Sequence, residues 1–238
     1  MSVSISEKGK AKTLANTGLL LTHIYAKGEN YKPSNAKLLV PNLEAVSTKA
    51  TQVQSELNFV QAPYSNAVLQ RENIFLPLNR YISKLRKAYK AVYGLTEQQL
   101  ENFMTVARKI KGARKTKKEK DNTSEQHSVS QMSYDQRTNN MEKMVGILKA
   151  TEGFNPNEEE FKVATVADMH KTMLAKTKKV HETFVPFNNA RSHRDEVFYN
   201  SPDNMVDIFN AAKDYMLSIL DAGSAEYKAE AKIRFRKE

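Results

Sequence analysis

The chain has 238 residues, is 40% apolar and 27% charged, and carries a formal net charge of +10. It contains no cysteine, which excludes disulfides and thiolate metal sites and fits a reducing compartment. The N-terminus lacks a signal-like apolar core and aliphatic runs extend no further than Leu19-Leu20-Leu21, so neither a standard secretion signal nor a membrane span is expected and the expected location is cytoplasmic.

Residues 1–12 are polar and dotted with lysine, and read as a mobile tail. From about Asn16, taken as an N-cap, the pattern predicts a short helix with Leu20, Leu21, Ile24 and Tyr25 on one side. A longer helix follows, in which Leu43, Val46, Ala50, Val53, Leu57 and Val60 form a narrow apolar seam; Pro41 must begin or kink it. Pro63 is expected to end that helix and the segment Pro63-Tyr64-Ser65-Asn66-Ala67 to start a shorter one, broken again at Pro77. A fourth helix carries Ile82, Leu85, Tyr89 and Val92, with Gly94 placed to stop it. The fifth starts at Thr96, with Gln99 three positions on as in a capping box, and shows Leu100, Phe103, Met104, Ala107 and Ile110. Gly112 to about Asp135 is almost free of apolar residues and reads as a flexible linker.

Beyond the linker the pattern returns. Pro63, Asn66, Ala67, Arg71 and Phe75 recur as Pro186, Asn189, Ala190, Arg194 and Phe198, each displaced by 123 positions. The same offset joins Asn16 to Asn139, Ile24 to Ile147, Glu29 to Glu152, Pro33 to Pro156 and Val40 to Val163, making ten identities in sixty positions. The copied elements are a helix near Asn140 with Met141, Met144, Val145 and Leu148, and a long one capped by Asn157 with Phe161, Val166, Met169, Met173 and Val180. After the break at Pro186 comes a helix with Ser201 as N-cap and Pro202 at its first position, carrying Met205, Ile208, Phe209, Ala212, Met216 and Ile219 up to Gly223. The last begins at Ser224 and carries Tyr227 and Ala231. No stretch alternates as a strand would. The expected fold is all-α: two homologous bundles of four or five helices, residues 13–112 and 136–238, joined by linker 113–135 and packed about a pseudo-twofold axis.

The second half, through Val185-Pro186-Phe187-Asn188-Asn189-Ala190-Arg191, Leu220-Asp221-Ala222-Gly223-Ser224-Ala225-Glu226-Tyr227 and Ile233-Arg234-Phe235, resembles a group of uncharacterised bacterial all-helical proteins with tandem halves. The resemblance covers about fifty residues per half. In the first half the Gly-Ser-x-Glu-Tyr element becomes Gly94-Leu95-Thr96-Glu97-Gln98. The resemblance implies an architecture and brings no activity, cofactor or substrate.

Candidate chemistry is sparse. The repeated Asn66/Asn189 and Arg71/Arg194 follow proline breaks, where Asn satisfies freed backbone groups and Arg bridges helices. The five histidines, His23, His127, His170, His181 and His193, form no Glu-x-x-His pair, so no metal site is expected. Neither a phosphate loop nor a nucleophile motif is present, and the expectation is a protein that is not an enzyme and holds no cofactor. Charge is the remaining signal. Residues 13–112 hold thirteen Lys and Arg against six Asp and Glu, whereas residues 136–238 hold sixteen of each. Arg80, Lys84, Lys87 and Lys90 share one helical face opposite Ile82, Leu85 and Tyr89. A second run comprises Arg108, Lys109, Lys111, Arg114, Lys115, Lys117, Lys118 and Lys120. These twelve residues are the predicted contacts to a nucleic-acid backbone, bound without sequence preference. The alternative is a scaffold module docking an acidic protein partner.

Overall fold

The apolar spacings become eight α-helices among the described residues, and none of those residues forms a strand. The protein's structure is a computed structural model that describes residues 9–112 and 132–237. The first half supplies α1 (Lys10–Lys27), α2 (Val40–Phe75), α3 (Leu78–Lys90) and α4 (Glu97–Lys111). The second supplies α5 (Tyr134–Ala150), α6 (Val163–Asp195), α7 (Met205–Ser218) and α8 (Ala225–Glu230). Short 3-10 turns precede α2 and α6, and a π turn, Glu196–Asn200, follows α6. Among the described residues no helix is long and apolar enough to cross a membrane.

The packing does not divide where the sequence halves do. One compact unit gathers the chain up to Ala62 and from Val185 onward; the other is Pro63–Phe184. Unit 1 therefore combines α1 and the start of α2 with the end of α6, α7 and α8. Its core sets Leu20, Ile24, Leu43 and Ala50 against Phe198, Met205, Phe209 and Ala212. Unit 2 combines the end of α2, α3 and α4 with α5 and the start of α6, and its core sets Phe75, Ile82, Leu85, Tyr89, Phe103 and Ile110 against Met141, Met144, Leu148, Val166 and Met173. Thus residues 13–112 and 136–238 each contribute to both cores. Tyr89 stacks on Phe103 at 4.2 Å between ring centroids, and its hydroxyl lies 2.9 Å from Thr151 Oγ1.

This arrangement goes with two long helices that their prolines do not end. Pro63 and Pro186 were expected to end their helices, yet α2 and α6 run continuously through them. Each proline removes one N–H from the ladder, at a cost on the order of 3 kcal/mol in a helix interior. Phe59 and Glu182, the residues whose carbonyls lose a partner, are both exposed, so water can bond those carbonyls. With α2 unbroken at Pro63, α3 packs on α4 and α4 on α5 within unit 2.

Other boundaries move for similar reasons. Asn16 is buried inside α1 and donates from Nδ2 to the carbonyl of Arg234 at 2.9 Å, while the helix starts six residues earlier at Lys10, inside the expected tail. Asn140 is likewise interior, and Ser133 caps α5 by accepting from Gln136 N. Asn157 caps nothing: Glu159–Phe161 forms a 3-10 turn and α6 begins at Val163. Asn204, rather than Ser201, caps α7 by accepting from Asp207 N at 2.9 Å. Neither Gly94 nor Gly223 terminates a helix directly, since α3 stops at Lys90 and α7 at Ser218. Thr96 with Gln99 forms the expected capping box and Ser224 the expected cap of α8. Gly112 ends α4 at φ +68°, a left-handed conformation that favours glycine.

Two outcomes follow from this packing. The excised fragment 63–184 is expected to unfold cooperatively in urea by circular dichroism, whereas the fragment 1–112, which lacks α5, shows no sigmoidal transition. Leu85→Ala, which opens a cavity in the unit 2 core, is expected to lower the urea-derived stability by about 3 kcal/mol.

Candidate nucleic-acid interface

α3 forms because Leu78, Ile82, Leu85 and Tyr89 recur at helical spacing and are all buried. The opposite side is then fixed: Arg80, Lys84, Lys87 and Lys90 are all exposed. Lys87 and Lys90 lie in the last turn of α3, as Arg108, Lys109 and Lys111 do in α4, where cations complement the negative end of the helix dipole. The dipole accounts for the positions of these five without any ligand.

The cations differ in what they touch. Arg108 Nη2 donates to Glu101 Oε1 at 2.8 Å and to Thr105 Oγ1 at 2.7 Å, and Lys111 Nζ donates to Ser83 Oγ at 2.8 Å, tying α4 to α3. Both are half-buried and serve the fold. Lys84 Nζ stands 3.3 Å from Glu160 Oε1, with both side chains about half exposed. Arg80, Lys87, Lys90 and Lys109 are exposed and make no ion pair among the described residues. Arg114, Lys115, Lys117, Lys118 and Lys120 lie outside the described residues.

A cleft of about 650 Å³ opens beside the stripe, with Lys84, Lys87 and Tyr93 on one wall and Asn155, Glu158 and Glu160 on the other. Tyr93 is fully exposed. The opposite wall is held by Gly153, whose φ of +79° suits glycine alone, and by Tyr81, whose hydroxyl donates to the Glu160 carbonyl at 2.7 Å. Burial, and after it the Glu160 carboxylate, pushes the Tyr81 phenol up to about 12.

Inside unit 2 a buried cation ties the elements behind α3. Arg137, on α5, donates from Nε to the Ile110 carbonyl at 3.0 Å and from Nη2 to Asn79 Oδ1 at 3.0 Å, and lies 5.4 Å from the Phe75 ring centre. Burial lowers its pKa, with Tyr134 opposing. Arg71 places its guanidinium 3.9 Å over the Tyr134 ring, bridging α2 to α5 from within an unbroken helix. Its counterpart Arg194 is buried and bonds its neighbour Asp195 at 2.6 Å instead. Burial pushes the Asp195 carboxyl up, but Arg194 and Lys10 outweigh it and hold it below the usual carboxylate range. Phe75 and Phe198 are core residues. Asn66 and Asn189 stand exposed in the middle of α2 and α6, with no helix end nearby to cap. Among the described residues no group of three or more His, Asp or Glu side chains is gathered as a metal ion requires.

Tyr93, Asn155, Glu158 and Glu160 are not among the site residues expected from the sequence. Tyr93 lies past the end of α3, outside its apolar pattern, and nothing local joins it to Asn155 or Glu158.

A raised phenol makes stability depend on alkaline pH. The folded state keeps the Tyr81 proton after the unfolded chain has lost it, so stability falls as pH rises from about 10, the ordinary tyrosine value, toward 12. The urea midpoint is expected to drop across that window, and Tyr81→Phe to make the drop shallower.

Comparison of the chain with protein-family models, with curated proteins and with solved structures finds no match, so the functional reading rests on the chain's own residues.

Proposed function

We propose that this chain acts by binding rather than by catalysis, and that the outer face of α3 holds the phosphates of single-stranded nucleic acid without regard to sequence. The observation that carries this reading is the row of Arg80, Lys87 and Lys90, exposed and unpaired among the described residues, ending beside the fully exposed Tyr93. Cations along a helix face release counterions from a phosphate backbone, and an exposed tyrosine ring offers a base a stacking surface on the order of 1–3 kcal/mol. Glu158 and Glu160 repel phosphate from the far wall of the cleft. The backbone therefore tracks α3 while a base enters the cleft, where the Asn155 amide meets base edges of any kind. Five further cations lie in the sequence at 113–120, outside the described residues.

The same reading takes the chain as a tandem duplication at an offset of 123. Support comes from burial at matched positions: Leu43 and Val166, Ala50 and Met173, and Ile82 and Met205 are all fully buried, and Pro63 and Pro186 both lie inside long continuous helices. The copies then differ in use. Described residues 63–112 hold nine Lys and Arg against three Asp and Glu, while 185–237 hold eight of each.

A second reading, a scaffold that docks a protein segment, is favoured by the mixed lining of the cleft, where Glu158 and Glu160 stand opposite Lys84 and Lys87. Fluorescence anisotropy with a labelled oligo-dT and a matched duplex, repeated over a salt series, separates the two. Binding to the single strand is expected to be tighter and to weaken steeply with salt. Removing three contacts together, Arg80→Ala, Lys87→Ala and Lys90→Ala, is expected to reduce the log–log salt slope by about 2. Tyr93→Ala is expected to weaken binding about tenfold with the slope unchanged. No binding at low salt, or a triple variant that behaves as wild type, overturns the nucleic-acid reading; a partner protein recovered after nuclease treatment then supports the second.

A further inference from the structure

On the flank of α3 that meets α4, unit 2 has a second, smaller cavity of about 80 Å³. Ser83 and Arg86 line it from α3, Arg108 and Lys111 from α4, and Met104 and Ala107 form part of its apolar surface. Three cations therefore share one space, and no carboxylate lines it. Arg86 is half-buried and makes no hydrogen bond or ion pair among the described residues. Its Nε is covered, whereas its two Nη atoms, equally unbonded, keep accessible surface. The other two cations are only partly engaged. Arg108 commits Nη2 to Glu101 and Thr105 and keeps its other N–H groups, and Lys111 uses one of its three ammonium donors on Ser83 Oγ. Ser83 itself donates to the Asn79 carbonyl at 2.9 Å, so its hydroxyl has no proton to offer a ligand.

Like charges gathered around one cavity raise its free energy unless a counter-charge sits among them. The helix dipole accounts for Arg108 and Lys111 in the last turn of α4, but Arg86 lies before the last turn of α3. Among the described residues only the Glu101 carboxylate pairs with any of the three, so three positive charges against one negative leave two. We infer that this cavity binds the dianionic head of a phosphate, as the free ion or as the end of a phosphomonoester, with the Arg86 Nη atoms as principal donors and Arg108 and Lys111 facing its other oxygens. A guanidinium fork matches two phosphate oxygens at once, and two positive charges suit a dianion better than the single charge of a phosphodiester. The space is about half of the roughly 150 Å³ that holds benzene, so it admits one tetrahedral group and no nucleoside. The organic part of an ester stays outside, in water. This site is separate from the outer-face cations that carry the nucleic-acid reading and does not rest on it.

The test is a titration of the full chain with inorganic phosphate and with methyl phosphate at mildly alkaline pH, followed by NMR at the Ser83 and Lys111 backbone amides. Inorganic phosphate is expected to give saturable shifts with a dissociation constant on the order of 1 mM, and dimethyl phosphate, which carries a single charge, to bind at least about tenfold more weakly. Methyl phosphate matching inorganic phosphate identifies a monoester end as ligand, and methyl phosphate binding about tenfold more weakly restricts the site to the free ion; either result supports the proposal. Arg86→Met and Lys111→Met are each expected to weaken phosphate binding about tenfold, and Lys49→Met, which removes an exposed charge from α2, to leave it unchanged. Should Arg86→Met not fold, the preference of the wild-type chain for the dianion over the diester decides the matter. The proposal is overturned if phosphate gives no saturable shift, if dimethyl phosphate matches it, if folded Arg86→Met binds as wild type, or if Lys49→Met weakens binding as much as Arg86→Met.

Discussion

Phe103, Ala107 and Ile110 along one side of α4 leave water against a helix, α5, that the chain supplies only after residue 133. That pairing is the constraint on which unit 2 depends. It fixes α4, and through the Arg137 bonds to the Ile110 carbonyl and Asn79 it fixes the start of α3 as well. α3 in turn buries Ile82, Leu85 and Tyr89 in the same core, so its cationic face is turned outward as a consequence of packing and needs no device of its own.

Electrostatically, the excess of positive charge in the first half divides into two populations. Arg71, Arg108, Lys111 and Lys84 are engaged with a ring, a carboxylate, a hydroxyl and a carboxylate in turn. Surface pairs such as Lys84 with Glu160 contribute on the order of 1 kcal/mol or less, so they orient the cleft walls more than they stabilise them. Arg80, Lys87, Lys90 and Lys109 on α3 and α4, with Lys32 and Lys49 nearer the N-terminus, stay exposed and make no ion pair among the described residues. The net charge of the chain overstates that surface, because it counts cations that are already committed to the fold.

The helices themselves were legible in the sequence. Ile82, Leu85 and Tyr89 at steps of three and four mark a buried face whatever it meets, and Thr96 with Gln99 announces a helix start through bonds that are local. Which helix meets which was not legible, since periodicity states that a face is apolar and is silent about its partner. Pro63 misleads for a related reason. Its local penalty argues for a break, but the residues around it, 58–66, are exposed or half-buried, so the group the ring leaves unbonded meets water and the helix runs on to Ala67 and Phe75. The asparagines mislead because Asn16 and Asn140 look like caps when judged by their neighbours, whereas both are interior to their helices and buried. The cleft beside Tyr93 and the His23–Glu230 pair, 207 positions apart, are products of tertiary packing and leave no local trace.

The division of the chain at Ala62 and Val185 also sets an order of assembly. Unit 2 is one uninterrupted stretch, so everything it needs has left the ribosome once Phe184 emerges. Unit 1 is not: Leu20, Ile24 and Leu43 leave the ribosome long before Phe198, Met205 and Phe209, the side chains that will cover them. For as long as translation of the intervening 122 residues lasts, the oldest part of the nascent chain carries an uncovered apolar seam. Chaperone demand during synthesis should therefore fall on the N-terminal helices, although in the finished protein they are as well packed as any.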